Sequence, residues 1–303
     1  MTKFSLLTSL CAASIAIGGS VSAETLQSAK VTTRVNDVRL HQPDKSRQAK
    51  LGDTVRGHTS VQTGRRSRAE LTFQDRTVTR LGANSAFTFR KGSRDINLNQ
   101  GSILLQVPKS AGGATIRTAT VTAAITGTTI LMEYNQGKWV KLITLEGTVS
   151  LNLGQKGGRK GGFFRRGQKV KVPAGKMIVM RPDGEIITRP VDVDLKRLLS
   201  TSLLAGNKVF GPLAPEAQRH IADAVAAQEK LKRRGILVSE NQVDRHPGSR
   251  AISDRNTARD IHDRPFQEDI TDGNDGQDTT GGDDGQIDTG DGIFTGGGQT
   301  TGP

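Results

Sequence analysis

SRAELTF (residues 67–73) and DINLNQGSILLQV (residues 95–107) are the stretches whose reading decides how this chain folds. Ala69, Leu71 and Phe73 alternate with polar neighbours, as do Ile96 with Leu98 and Ile103 with Leu105 and Val107. Apolar residues at every second position fit a strand with one buried face, and this period is incompatible with a helix. Ile116, Val121 and Ile125 continue the pattern among threonines and alanines. Glycines at 52, 57, 64, 82, 92, 101, 127, 137 and 147 punctuate the runs, as turns and bulges demand. No helix of useful length fits between them. A weak repeat, INLNQGSILL at 96–105 and ITLEGTVSL at 143–151, sets a polar residue and a glycine between two strands. The expectation is a mainly β domain over 24–190, with glycine-punctuated antiparallel strands forming a β-sandwich or a β-solenoid-like stack.

From 191 the period changes. Asp192 or Asp194 can cap a helix that presents Leu195, Leu198, Leu199 and Leu203 on one face and closes at Gly206. A second helix is predicted from Pro215 to Gly235, with Ile221, Val225 and Leu231 toward the β body and Lys230, Lys232, Arg233 and Arg234 complementing its C-terminal dipole. The 191–240 segment reads as a cover or brace. Beyond it, 241–303 is rich in Gly, Asp and Thr and too poor in apolar residues to offset the entropy of ordering, so it reads as a disordered acidic tail.

The N-terminus has the layout of a secretory signal peptide over 1–23: Lys3, an apolar run at 4–19, then Val21, Ser22 and Ala23 at a cleavage site. Cys11 is the only cysteine and leaves with that segment, so disulfides and thiolate chemistry are excluded from the mature chain. No later stretch approaches the ~20 apolar residues that span a bilayer. The expectation is a periplasmic or secreted protein with no stable transmembrane segment after cleavage. The formal charge of +13 is uneven: residues 241–303 carry −8 and residues 1–240 carry +21. Such a body invites polyanion binding, shielding by the tail, or simple solubility.

RGHTSVQTGRRSRAELTFQDRTVTRLGANSAFTF, residues 56–89, resembles the opening of the FecR domain: a V-x-T-G turn, a serine-Arg-Ala-Glu-Leu strand, a D-x-T-x-x-R-L-G turn and an N-S-x-F strand. IRTATVTAAITGTTILMEY at 116–134, Leu145-Glu146-Gly147 with Val149, and Arg166-Gly167-Gln168 resemble later family blocks, so the likeness spans about 50–180. Asp75-Arg76 replaces a frequent Asp-Gly, where a type I turn can still form, and Ala119 replaces a frequent Pro. The name-giving members are inner-membrane regulators of iron-citrate uptake that relay a receptor signal to a sigma factor. The resemblance here is to exported members in which the domain stands alone, without an anti-sigma segment or an internal membrane span. Gly64, Arg68, Leu81, Gly82, Gly127, Thr128 and Gly147 are expected to keep the fold: Thr63-Gly64 as a turn, Arg68 or Glu70 pairing on a polar face, and Gly127-Thr128 at a close strand approach.

No catalytic constellation is evident. His41, His58, His220, His246 and His262 lack metal spacing and read as single surface histidines, and Glu70, Glu133 and Glu146 are scattered. The tail aspartates lack the order of a calcium loop. No cofactor, metal or reaction is expected. The most suggestive stretch is KGGRKGGFFRRGQKVKV, residues 156–172. There Lys156, Arg159, Lys160, Arg165, Arg166, Lys169 and Lys171 could meet an anionic polymer or membrane surface, with Phe163 and Phe164 dipping in or stacking. Alternatively the phenylalanines are core and the cations solvated. The expected partner is an envelope protein or an anionic polymer such as lipopolysaccharide or polysaccharide. Nucleic acid is not expected, because export separates the chain from it. A periplasmic part in a sigma-factor relay is a further alternative.

Overall fold

The alternation at 67–73 becomes a strand whose Ala69, Leu71 and Phe73 are buried against a second sheet. The structure is a computed structural model and describes residues 25–119, 121–153, 169–181 and 189–240. Its strands run in chain order as β1 (Ser28–Val35), β2 (Val38–Gln42), β3 (Lys45–Gln48), β4 (Thr54–Arg56), β5 (Ser60–Thr63) and β6 (Arg68–Phe73). There follow β7 (Val78–Leu81), β8 (Ala86–Phe89), β9 (Asp95–Val107), β10 (Gly113–Arg117), β11 (Val121–Thr126) and β12 (Thr128–Asn135). The series closes with β13 (Trp139–Glu146), β14 (Thr148–Leu153), β15 (Lys169–Pro173), β16 (Lys176–Met180) and β17 (Val191–Asp192).

These strands form two sheets that share β9. The first has the order β4-β1-β6-β7-β9-β12-β13-β16-β17 and the second β3-β2-β5-β8-β9-β10-β11-β14-β15. All neighbours are antiparallel except β10 beside β9. Residues 95–97 of β9 pair in the second sheet and 101–107 in the first, so the long strand bends from one to the other. Phe73 of the first sheet meets Phe89 of the second edge-on, with centroids 4.9 Å apart, in a core that also holds Ile96, Leu98, Ile103, Leu105, Ile130 and Leu142. A fully buried side chain of this size contributes roughly 1.5–3 kcal/mol.

The sandwich grows as a coil. β11 passes to β12, β13 to β14 and β15 to β16, each time switching sheets at a corner. Gly147 is such a corner, with φ +76°; a Cβ there would stand 2.8 Å from the Gly127 carbonyl oxygen and would press on Thr128. The repeated glycine of the sequence therefore marks sheet crossings, at Gly101 within β9 and at Gly147 between β13 and β14. Sandwich and stacked coil are combined: two facing sheets, built by a chain that shuttles between them.

Helices form a third layer. α1 (Leu195–Thr201) and α2 (Pro215–Ala227) cover the outer face of the first sheet, and a short α3 (Glu229–Arg233) follows without a buried residue. Leu104, Leu131, Trp139, Ile143, Leu145, Met177 and Val179 point to that side and form a second apolar cluster with Leu195, Leu198, Phe210, Ala217 and Ile221. This explains why β12 and β13 are buried on both faces.

Asp194 caps α1, accepting the Arg197 N–H at 2.9 Å. The helix ends at Thr201, earlier than the expected Gly206, because the Ser202 hydroxyl accepts the N–H groups of Leu204 and Ala205 and turns the chain. Leu203 is thus buried in a turn. The expected single helix from Pro215 breaks at Gln228, whose buried amide is drawn to the β body: it accepts from the Leu195 N–H and donates to the Val193 carbonyl. Leu231, beyond that break, is half-exposed and outside the apolar cluster.

Candidate interaction surfaces

The two outer faces differ. On the first sheet, helices cover apolar side chains. On the second, alternation puts polar groups outward: β11 exposes or half-exposes Thr122, Ala124 and Thr126, and β15 exposes Lys169, Lys171 and Pro173. The registers line up Thr88, Asn97, Arg117, Thr122, Asn152 and Lys169 as one row across six strands, spaced by about 4.8 Å. Ser150 and Lys171 pair in the next row. Lys169 and Lys171 lie on the last strand of this sheet, where charge discourages unplanned edge pairing. Lys156, Arg159, Lys160, Phe163, Phe164, Arg165 and Arg166 lie outside the described residues.

The residues expected to keep the fold sit largely at sheet crossings. Gly64, between β5 and β6, donates its N–H to the Asp37 carbonyl and accepts from Asn84. Gly82, between β7 and β8, donates to the Ser102 carbonyl, and a Cβ there would collide with the Ser102 hydroxyl. Leu81 is core, Thr128 is buried, and Gly127 has φ +56° where it passes Lys109. Arg68 is buried, and Glu70 makes a cross-strand pair of the expected kind, with Arg80 on β7. Asp75-Arg76 does form a turn, with Thr77 donating its N–H to Asp75, but Arg76 takes the left-handed conformation at φ +65°.

A residue that sequence reasoning passed over holds the layers together. Arg80, the arginine of the R-L-G motif, is 1% exposed and pairs with Glu70 across β6 and β7 at 2.8 Å. Its two remaining nitrogens donate to the carbonyls of Leu204 and Gly211, and its guanidinium lies 5.0 Å from the Phe210 ring centroid. Burial pulls this guanidinium below its usual value, and the bond from Glu70 opposes that. Sequence offered only the charge: an arginine in an alternating strand reads as solvent-facing.

Two other polar groups are organised more closely than expected. His220 on α2 is bonded through Nδ1 to Glu146 at 2.8 Å, Glu146 accepts from the Thr129 hydroxyl, and Lys109 lies 3.4 Å from His220 Nε2 and from Glu216. His220 is therefore no lone surface histidine. Glu133 pairs with Lys141 at 3.2 Å, and that buried ammonium stands 5.3 Å from the Trp139 ring centroid. Among the described residues no three His, Cys, Asp or Glu side chains gather as a metal site, and no helix is long and apolar enough to cross a membrane.

These features define a mainly β scaffold that, among the described residues, has one face covered by helices and one polar face without such a cover. The family model described as FecR protein matches residues 59–150 of it. No curated protein matches the chain. Among solved structures it is similar to a candidate anti-sigma factor from Parabacteroides distasonis, at 14% identity and a TM-score of 0.35, over 42% of this chain and 57% of that one. A second crystal structure described in the same words gives 12% identity and a TM-score of 0.36 over 49% and 74%. The chain thus spans little more than half of the first of these proteins.

Proposed function

We propose that this chain is a non-catalytic FecR-domain protein that binds another macromolecule at the cell envelope and serves regulation. It is carried there by the signal peptide at 1–23. The observation behind the reading is the asymmetry of the sandwich. Its own helices occupy the outer face of the first sheet, whereas the row from Thr88 to Lys169 on the second has no such cover among the described residues, of which β15 is the last strand in that sheet. The only exposed large apolar side chain among the described residues is Leu51, which suits reversible contact better than permanent assembly. The test is photo-crosslinking in cells, with the probe at Asn152, at Lys171 or at Lys196 on the helical side. A discrete adduct from the first two and none from the third is expected; equal labelling from all three, or none, would refute the reading. Fractionation with N-terminal sequencing checks export, which predicts a mature chain beginning at Glu24.

A second reading, membership of a sigma-factor relay, is favoured by the FecR match itself. Deleting the gene should then change transcription from one sigma-dependent promoter set, and an unchanged transcriptome rejects it.

A further inference from the structure

Two turns at the end of the sandwich opposite Gly64 and Gly82 carry three cations and a histidine that the open sheet face does not use. Arg56 closes β4 and Gly57 and His58 follow it, and Arg90, Lys91 and Gly92 follow β8. The turns are tied by backbone bonds: His58 N–H donates to the Phe89 carbonyl at 3.1 Å, and Gly92 N–H donates to the Leu26 carbonyl at 2.9 Å. Gly57 lies against Lys91 so closely that a Cβ would stand 2.8 Å from the Lys91 Cα. His58 is held in the left-handed region at φ +70°, a conformation sustained only where the surroundings dictate it.

The four side chains are exposed and short of counter-charge. Asp95 lies 3.6 Å from Arg90 and is shared with Arg117 at 3.4 Å. Asp75 is committed to Arg94 at 2.6 Å. Asp44, at the tip of the β2–β3 hairpin, forms no ion pair among the described residues, and Arg56, His58 and Lys91 form none either. Like charges fixed side by side repel one another and are relieved by a polyanion laid across them. Arg56 and Arg90 present forked donors suited to carboxylates. The turn tips carry no large apolar side chain with which to enter a bilayer, since Leu51 belongs to the β3–β4 connection.

We infer that Arg56, His58, Arg90 and Lys91 form a docking patch for an acidic polysaccharide. This patch is separate from the β14–β15 side of the second sheet, so its test is independent of the crosslinking test above. Full-length protein is titrated with polygalacturonate, with uncharged dextran and with anionic vesicles, at low and at moderate salt. Binding to polygalacturonate alone is expected, falling about tenfold between the two salts. Arg56→Gln with Lys91→Gln should weaken it about tenfold, whereas Lys196→Gln with Lys208→Gln on the helical side should change it less than about twofold. All four positions are exposed, and circular dichroism checks that the variants keep their fold. The inference is overturned by absent binding, by a stronger response to vesicles, or by an Arg56/Lys91 variant that binds like the parent.

Discussion

Replacing Arg80 by methionine keeps most of the side-chain volume against Phe210 but removes the guanidinium on which three partners converge. Glu70 would be left as a carboxylate 14% exposed, with the Thr32 hydroxyl still donating to it, and the carbonyls of Leu204 and Gly211 would lose a charged donor. Breaking a buried pair from one side typically costs about 3–5 kcal/mol, because the orphaned charge stays behind. Lost hydrogen bonds to a charged donor, at roughly 1.5–3 kcal/mol each, overlap with that figure and do not add to it. We expect Arg80→Met to cost about 3–5 kcal/mol, a large share of the ~5–15 kcal/mol that holds a domain together. Removing the orphan as well, in Glu70→Gln/Arg80→Met, should return about 1–2 kcal/mol of that loss. The assay is urea unfolding followed by fluorescence of Trp139, the only tryptophan, which is buried in the apolar layer under the helices. A cost below about 1 kcal/mol for the single variant, or a double variant less stable than the single, would refute the reasoning.

Other consequences can be measured on the same protein. Arg76→Gly should stabilise by about 0.5–1 kcal/mol in thermal unfolding, because glycine takes φ +65° without the Cβ penalty that arginine bears; a lower midpoint would count against that account of the turn. Gly147→Ala should cost about 2–4 kcal/mol through its left-handed φ and its collision with Thr128 and the Gly127 carbonyl, read as a lower urea midpoint at unchanged slope. The Arg47 guanidinium bonded to Asp53 holds that carboxyl below the usual carboxylate range, with the Lys50 backbone N–H assisting. A depressed folded pKa gives stability that is present above the unfolded value of about 4 and is lost as pH falls through the folded one. NMR titration should therefore find Asp53 ionising at higher pH in Arg47→Gln, and identical titrations would reject the pairing.

The fold was legible where side chains alternate. Ala69, Leu71, Phe73, Ile96 and Leu98 needed only period-two spacing to be assigned to a core, and the glycines at 101 and 147 announced the corners that build the coil. What alternation could not supply was the second apolar layer. Leu131, Ile143 and Val179 stand on the face that a two-layer sandwich would expose, and they are buried because α1 and α2 return over them. Helix ends were misread for a local reason: the Ser202 hydroxyl and the Gln228 amide make tertiary or turn bonds that compete with helix propagation, and neither carries a glycine's signature.

Arg80 shows why part of the site stayed hidden. Its partners Leu204 and Gly211 are 124 and 131 residues away and act through backbone carbonyls, to which no residue type is specific. The FecR match ends at 150, so a motif arginine inside the domain is satisfied by chain outside it. The same holds for the outward apolar side chains of β12 and β13, which the matched region alone would leave in water. A fragment cut at 190 would therefore leave Arg80 with Glu70 as its remaining partner of the three and expose a wide apolar face, which favours aggregation or unfolding. The helical segment is thus part of the folding unit, and among the described residues the outer face of the second sheet is the one that no helix covers.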